Sequence, residues 1–279
     1  NINYGSQYID QSDINHVENA LHQKAITNGM SVLKLENAVS KIFKCKFTLS
    51  CNSATSAIYM VLSSIGLKKG DNVIIPSINF VAAANICKIM GANIFFADVD
   101  KKTYQLSKKN VEDCIKNNNL KKIKVIFSMF LGGKPCHVAE LFELKKKLKS
   151  YLIEDACHAL GSKYIVNNKK YHVGQSKHAD FSIFSLHPVK TITSGEGGLI
   201  CTNLKKNFLQ LKKLRSHGIA GKKNFTYDVV VNSLNFRLSD INCALAISQF
   251  KKLKRFVKWR KKLADEYYKN FSNLKDYLR

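Results

Sequence analysis

The stretch Asp180-Phe-Ser-Ile-Phe184-Ser-Leu-His-Pro-Val-Lys190-Thr-Ile-Thr-Ser-Gly-Glu-Gly-Gly198-Leu-Ile-Cys-Thr202 decides the fold. Its ends, Asp180 to Phe184 and Leu199 to Thr202, are short apolar runs rich in β-branched and aromatic residues, which predicts a strand on each side. Between them lie small, hydroxylated and glycine residues, the composition of a functional loop. A lysine in a polar, glycine-lined turn behind a strand is partly desolvated, and its amine is then a nucleophile toward a carbonyl. Taken singly, Lys190 reads more often as an ordinary surface lysine.

The same strand signal recurs outward in both directions. Phe47 to Cys51, Asn72 to Ile75, Asn93 to Ala97, Lys124 to Phe127 and Tyr151 to Glu154 are further strand candidates. Ser53 to Ile65, Val81 to Met90, Val138 to Leu148 and Leu204 to Ser216 carry apolar residues at helical spacing, as do Ser12 to Gln23 and Leu33 to Phe43. Strands alternating with helices predict an α/β fold with a mostly parallel central sheet flanked by helices. The three prolines, Pro76, Pro135 and Pro188, form no linker, and there is no internal repeat. One continuous domain is the simplest reading of the residues themselves.

Composition narrows the function classes. The 279 residues are 45% hydrophobic, with 16 Phe and 11 Tyr, which excludes a disordered chain. Forty-five Lys and Arg against 20 Asp and Glu give a charge of +25. Runs such as Lys145 to Lys149 and Lys251 to Arg255 fall on amphipathic helical patterns, so they read as solvated outer faces, and no specific nucleic-acid partner is expected. Eight cysteines without a CxxC pair or zinc spacing read as reduced thiols, and no metal site is expected. No stretch approaches the about 20 apolar residues that span a bilayer, and the start lacks a signal-peptide pattern, so no membrane partner and a cytoplasmic location are expected.

Three further segments can carry chemistry. Leu152-Ile-Glu-Asp155-Ala-Cys-His158-Ala-Leu-Gly161 puts an acid just past a buried strand, where α/β folds collect ligands. Asp155 suits a cationic partner there, or caps the next helix. Ser50-Cys-Asn-Ser53-Ala54-Thr55-Ser56-Ala57 joins a strand to a helix whose first N–H groups are free for a phosphate; Ser and Thr also cap helices that bind nothing. Pro76-Ser-Ile-Asn79-Phe80 follows another strand, and Phe80 can stack on a flat ring or belong to the core.

In this order the segments resemble the DegT/DnrJ/EryC1/StrS family of pyridoxal 5'-phosphate (PLP) dependent nucleotide-sugar aminotransferases, which have the fold-type I aminotransferase architecture. Ala25-Ile-Thr27-Asn28-Gly29, Leu214-Arg-Ser-His217-Gly218 and Asn235-Phe-Arg237-Leu-Ser-Asp240-Ile-Asn-Cys-Ala244 extend the likeness over nearly the whole chain. Asn52 to Ala57, His158 to Gly161 and His187 to Lys190 with Ile192-Thr are most similar to the members that aminate C4 of a UDP-linked 4-keto-6-deoxy-N-acetylhexosamine in pseudaminic acid synthesis. Met129 and Leu186 depart from the usual His and Phe of the family, as packing changes.

The resemblance implies that Lys190 is catalytic and holds PLP as a Schiff base, with Asp155 against the pyridine nitrogen. It places Phe80 on the ring, His158 at the ring hydroxyl, and Ala54, Thr55 and Ser185 at the phosphate. Asn235 would reach that phosphate from the neighbouring subunit of a homodimer with shared active sites. Tyr4 and the stretch Ala25, Ile26, Thr27 and Asn28 match positions that meet the nucleotide-sugar substrate, and an amino acid, glutamate, is the implied amino donor. The implied division is a PLP-binding large domain over 1–240 and the basic, helical start of an incomplete C-terminal small domain over 241–279.

Overall fold

The structure, a computed structural model, describes residues 5–223 and 226–274. In chain order the elements are α1 (Gln11–Leu21), α2 (Met30–Phe43), β1 (Phe47–Cys51), α3 (Ala54–Ser64), β2 (Asn72–Pro76), α4 (Ala82–Ile89), β3 (Asn93–Ala97), α5 (Lys108–Asn117) and β4 (Val125–Met129). There follow α6 (Val138–Leu148), β5 (Tyr151–Asp155), β6 (Lys163–Val166), β7 (Lys169–His172), β8 (Phe181–Ser185), β9 (Gly198–Thr202), α7 (Lys205–Leu214), β10 (Ile219–Lys223), β11 (Thr226–Val229), α8 (Asp240–Lys251) and α9 (Leu253–Asn270).

Seven strands form one sheet in the order β1-β9-β8-β5-β4-β2-β3. From β3 across to β8 all pairings are parallel. Strand β9 runs antiparallel to both β8 and β1. The chain between β8 and β9 contains no helix, and a direct return without a crossover puts the next strand antiparallel.

Helices cover both faces, which is why the strands read as nearly continuous apolar runs. On one face Val125, Phe127, Ile153, Phe181, Ile183 and Ile200 pack with α3, α4 and α7. On the other, Ile74, Ile126 and Leu152 meet α5 and α6, and Phe184, Leu199 and Cys201 meet α2 and α8. Side chains alternate along a strand, so Asp155 shares the face of Ile153, and Ser185 that of Ile183. Both therefore project on the α3 side of the sheet, at the carboxyl edge.

Every strand expected from sequence is present, with ends shifted by a residue or so. Helix α5, the four strands of the β6-β7 and β10-β11 ribbons and the first turn of α2, which starts at Met30 rather than Leu33, went unforeseen. Cys243, Ala246 and Phe250 of α8 and Leu253 and Phe256 of α9 are buried in one cluster with Leu35, Val39 and Phe43 of α2. Among the described residues no helix is long and apolar enough to cross a membrane.

Candidate active site

The carboxyl edge of the sheet gathers Ala54, Thr55, Asp155, His158, Ser185 and Lys190 among the residues singled out in the sequence. Ser53 caps α3, its hydroxyl accepting the N–H of Ser56 at 3.0 Å, which leaves the N–H groups of Ala54 and Thr55 at the front of the helix. Gly198 of β9 lies opposite both Cys51 and Ser185 in register. A Cβ there would collide with the Ser53 carbonyl and stand 2.8 Å from Ala54 N. The α3 N-terminus, Ser185 and the end of the Lys190 loop are thus packed backbone to backbone. Free N–H groups, the helix dipole and nearby hydroxyls make an anion cradle.

The Lys190 loop is closed by its own polar groups. Leu186 N–H donates to Gly197 O at 2.8 Å, and Leu186 O accepts Ser194 N–H and the Thr193 hydroxyl, both at 3.0 Å. Thr193 and Ser194 are buried, while Lys190 is half-buried at the loop's apex. Its N–H donates to His187 O at 2.9 Å, and its carbonyl accepts Arg260 Nη2 of α9 at 2.8 Å.

Asp155 and Lys190 act on the same surroundings. The Cys157 thiol is pushed well above its usual range, chiefly by burial and then by the Asp155 charge, with Lys190 pulling the other way. His158 is pulled below its ordinary value, again chiefly by burial and then by Lys190 and Arg260, with Asp155 opposing. Asp155 is 4% exposed, and its Oδ1 accepts Cys157 N–H at 3.2 Å. Among the described residues no Lys, Arg or His is ion-paired with it. A buried carboxylate without a cation is costly, and a protonated ring nitrogen would supply one. PLP fits this donor set: an anion cradle for its phosphate, a carboxylate for its pyridinium and an amine for its aldehyde. A cavity of about 130 Å³ between Lys190–Thr193 and Phe256, Trp259 and Arg260 is smaller than cofactor pockets usually are.

The remaining expected residues are placed less closely. Phe80, 71% exposed, lies just past β2, two strands from β5, with its N–H on Asn79 Oδ1. Ala25 to Asn28 form an exposed loop before α2, with Asn28 in the left-handed region. Asn235 is exposed and adjoins Asn52 of its own chain, where Asn52 N–H donates to Phe236 O at 2.9 Å and Asn52 Nδ2 to Asn235 O at 3.4 Å. Tyr4 lies outside the described residues. Sequence reasoning did not single out Gly198, Arg260 or Asn242, which act through backbone contacts between distant segments. The Gly197-Gly198 pair was the one visible signal.

Known proteins resemble this chain over nearly its whole length. The UDP-4-amino-4,6-dideoxy-N-acetyl-beta-L-altrosamine transaminase of Campylobacter jejuni serotype O:23/36 is 38% identical over 270 residues, covering 97% of this chain and 69% of that protein. The solved structure of Helicobacter pylori PseC, an aminotransferase involved in biosynthesis of pseudoaminic acid, superposes with a TM-score of 0.87 at 31% identity, covering 96% of this chain and 70% of that one. A putative sugar aminotransferase of Streptococcus pneumoniae in its PLP form gives 0.85 at 26% identity, over 98% and 72%. The DegT/DnrJ/EryC1/StrS aminotransferase family model matches residues 7–278. With the lysine loop, the buried acid and the helix-end cradle on one sheet edge and this match over nearly its full length, the chain belongs to the DegT/DnrJ/EryC1/StrS aminotransferase family.

Proposed function

We propose that this chain is a PLP-dependent sugar aminotransferase that moves an amino group from glutamate to the C4 ketone of a UDP-linked 4-keto-6-deoxy-N-acetylhexosamine, in the making of a surface-glycan amino sugar such as pseudaminic acid. The observation that carries this is the juxtaposition of Lys190 with a buried, unpaired Asp155 beside the α3 N-terminus. The choice of sugar is supported by the names of the most similar relatives. When bound, PLP supplies an electron sink for the bond changes at the amino-bearing carbon.

The protein's own residues do the rest. Asp155 keeps a proton on the ring nitrogen from a buried position. The N–H groups of Ala54 and Thr55, with Ser185, hold the phosphate, and Phe80 offers a ring face. The Lys190 Nζ carries a proton between two carbons, as general base and then general acid. His158 lies beside both charged groups and reaches the ring hydroxyl. Tyr4 and residues 25–28 meet the nucleotide sugar. The enzyme is a homodimer in which Asn235 serves the other subunit's phosphate; the exposed Tyr227, Val229, Val230 and Leu234 are apolar surface suited to that contact. On this reading residues 1–240 are the PLP-binding large domain and 241–279 the basic, helical start of a C-terminal small domain. A cytoplasmic site of action accords with eight cysteines that are all free.

The test is spectroscopic. Purified protein mixed with PLP should gain a visible chromophore that borohydride reduces and that Lys190→Ala abolishes. A chain that binds no PLP is an inactive relative keeping the fold. Glutamate with a panel of UDP- and dTDP-linked 4-ketosugars then identifies the acceptor.

A further inference from the structure

The first turn of α8 touches two loops that the proposed reaction uses. Asp240 is fully buried. Its Oδ2 accepts Gly29 N–H at 2.7 Å, its Oδ1 accepts Ser31 N–H at 2.8 Å, and its own N–H donates to Ile26 O at 2.9 Å. Two residues on, Asn242 Nδ2 donates at 2.6 Å to Ser194 O, in the return limb of the Lys190 loop. A Cβ on the neighbouring Gly195 would stand 3.6 Å from that same nitrogen.

Helix α2 has no cap of its own. Its N-cap is Gly29, which has no side chain to accept the free N–H groups of the first turn. Asp240 supplies that acceptor from 211 residues away, as a carboxylate, so both bonds are charge-assisted and favoured by the helix dipole. Gly29 is needed for the approach, since a Cβ would lie 2.8 Å from Asp240 Oδ1 and 2.9 Å from Ala25 O. The loop over residues 25–28 is otherwise exposed, so its position is set at its C-terminal end by Asp240.

We propose that Asp240 and Asn242 are positioning residues that hold the 25–28 loop and the Lys190 loop at a fixed spacing, so that the first turn of α8 sets affinity for the nucleotide sugar. This rests on the reading that residues 25–28 meet that substrate. Asp240 touches the substrate loop and leaves the Lys190 loop alone; Asn242 touches the Lys190 loop.

The test uses PLP-loaded full-length protein, UDP-N-acetylglucosamine as a stable probe followed by calorimetry, and glutamate-driven bleaching of the chromophore. Asp240→Asn retains shape but turns one of the two acceptor oxygens into a donor. The expected result is a Kd for the probe raised at least tenfold, faster amide exchange at Gly29 and Ser31, and an unchanged bleaching rate. Asn242→Ala, expected to fold more readily, should raise the Kd and also slow bleaching. Where Asp240→Asn fails to fold, the Asn242→Ala pair of readouts decides: an unchanged Kd overturns the proposal. An unchanged Kd in a folded Asp240→Asn protein whose amides exchange faster also overturns it. Thr27→Ala separates the two ideas. If it raises the Kd while Asp240→Asn does not, positioning by α8 fails and the substrate reading stands; if neither raises it, both fail.

Discussion

Gly198 faces Cys51 on one side and Ser185 on the other, and its hydrogen lies where any side chain would strike the Ser53 carbonyl. The backbone approach that results is what lets the end of the lysine loop touch the front of α3. Gly198→Ala should displace that helix end, weakening PLP binding about tenfold or more, or ~1.4 kcal/mol. Overpacking should also cost about 1–3 kcal/mol of stability. PLP titration and thermal melting measure the two effects. Asp155 and Lys190 were singled out in the sequence, one as an acid just past a buried strand and the other as a lysine in a polar, glycine-rich loop. Gly198 was not, because the atom it must avoid belongs to a residue more than a hundred positions away.

Among the elements, α1 shows how a helix is fixed by charge. Asp10 caps it, and Lys252, at the α8 to α9 junction, reaches Asp10 at 2.7 Å and Asp13 at 2.6 Å. Asp13 is fully buried. Burial pushes its pKa up, but Lys252, Ser248 and the Asp10 backbone outweigh this and hold it below the usual carboxylate range. Asp10 is held well below that range too, chiefly by Lys252 and Ser12. Carboxyls with lowered folded pKa values stabilise the fold above their unfolded pKa, near 4, and lose that contribution as pH falls through the folded values. The melting temperature should therefore fall between pH 5 and pH 2. Lys252→Ala should cost about 3 kcal/mol at pH 7, by stranding Asp13, and should flatten that acid slope. Chemical denaturation at several pH values checks both.

Other elements differ in how openly the sequence announced them. The β6-β7 ribbon turns at Asn167 and Asn168, both at positive φ, and an Asn-Asn pair between two short runs is a hairpin signal that could have been read. Helix α5 places Val111, Cys114 and Ile115 at i, i+3 and i+4 against the core, a spacing that could also have been read. The first turn of α2 was hidden because its cap is Asp240.

For the molecule as a whole, the +25 charge and the exposed apolar residues point different ways. Lysines and arginines are spread over helix faces, whereas Tyr227, Val229, Val230 and Leu234 sit close together in sequence and are all more than half exposed. A face of that kind suits a second copy of the chain. Sedimentation at micromolar concentration should show a dimer, and Leu234→Lys with Val230→Lys should shift it to monomer while lowering PLP occupancy. A stable monomer with full PLP occupancy would remove the shared-site reading.

The order of strands and helices and the two-faced sheet were written in local patterns, since apolar periodicity acts over a few residues. The antiparallel course of β9, the capping of α2 by Asp240, the inclusion of α8 in the main core and the closeness of Gly198 to α3 arise from packing between segments far apart in the chain. No window of sequence contains both partners of such a contact, so they emerge when the sheet closes and the helices settle on its faces.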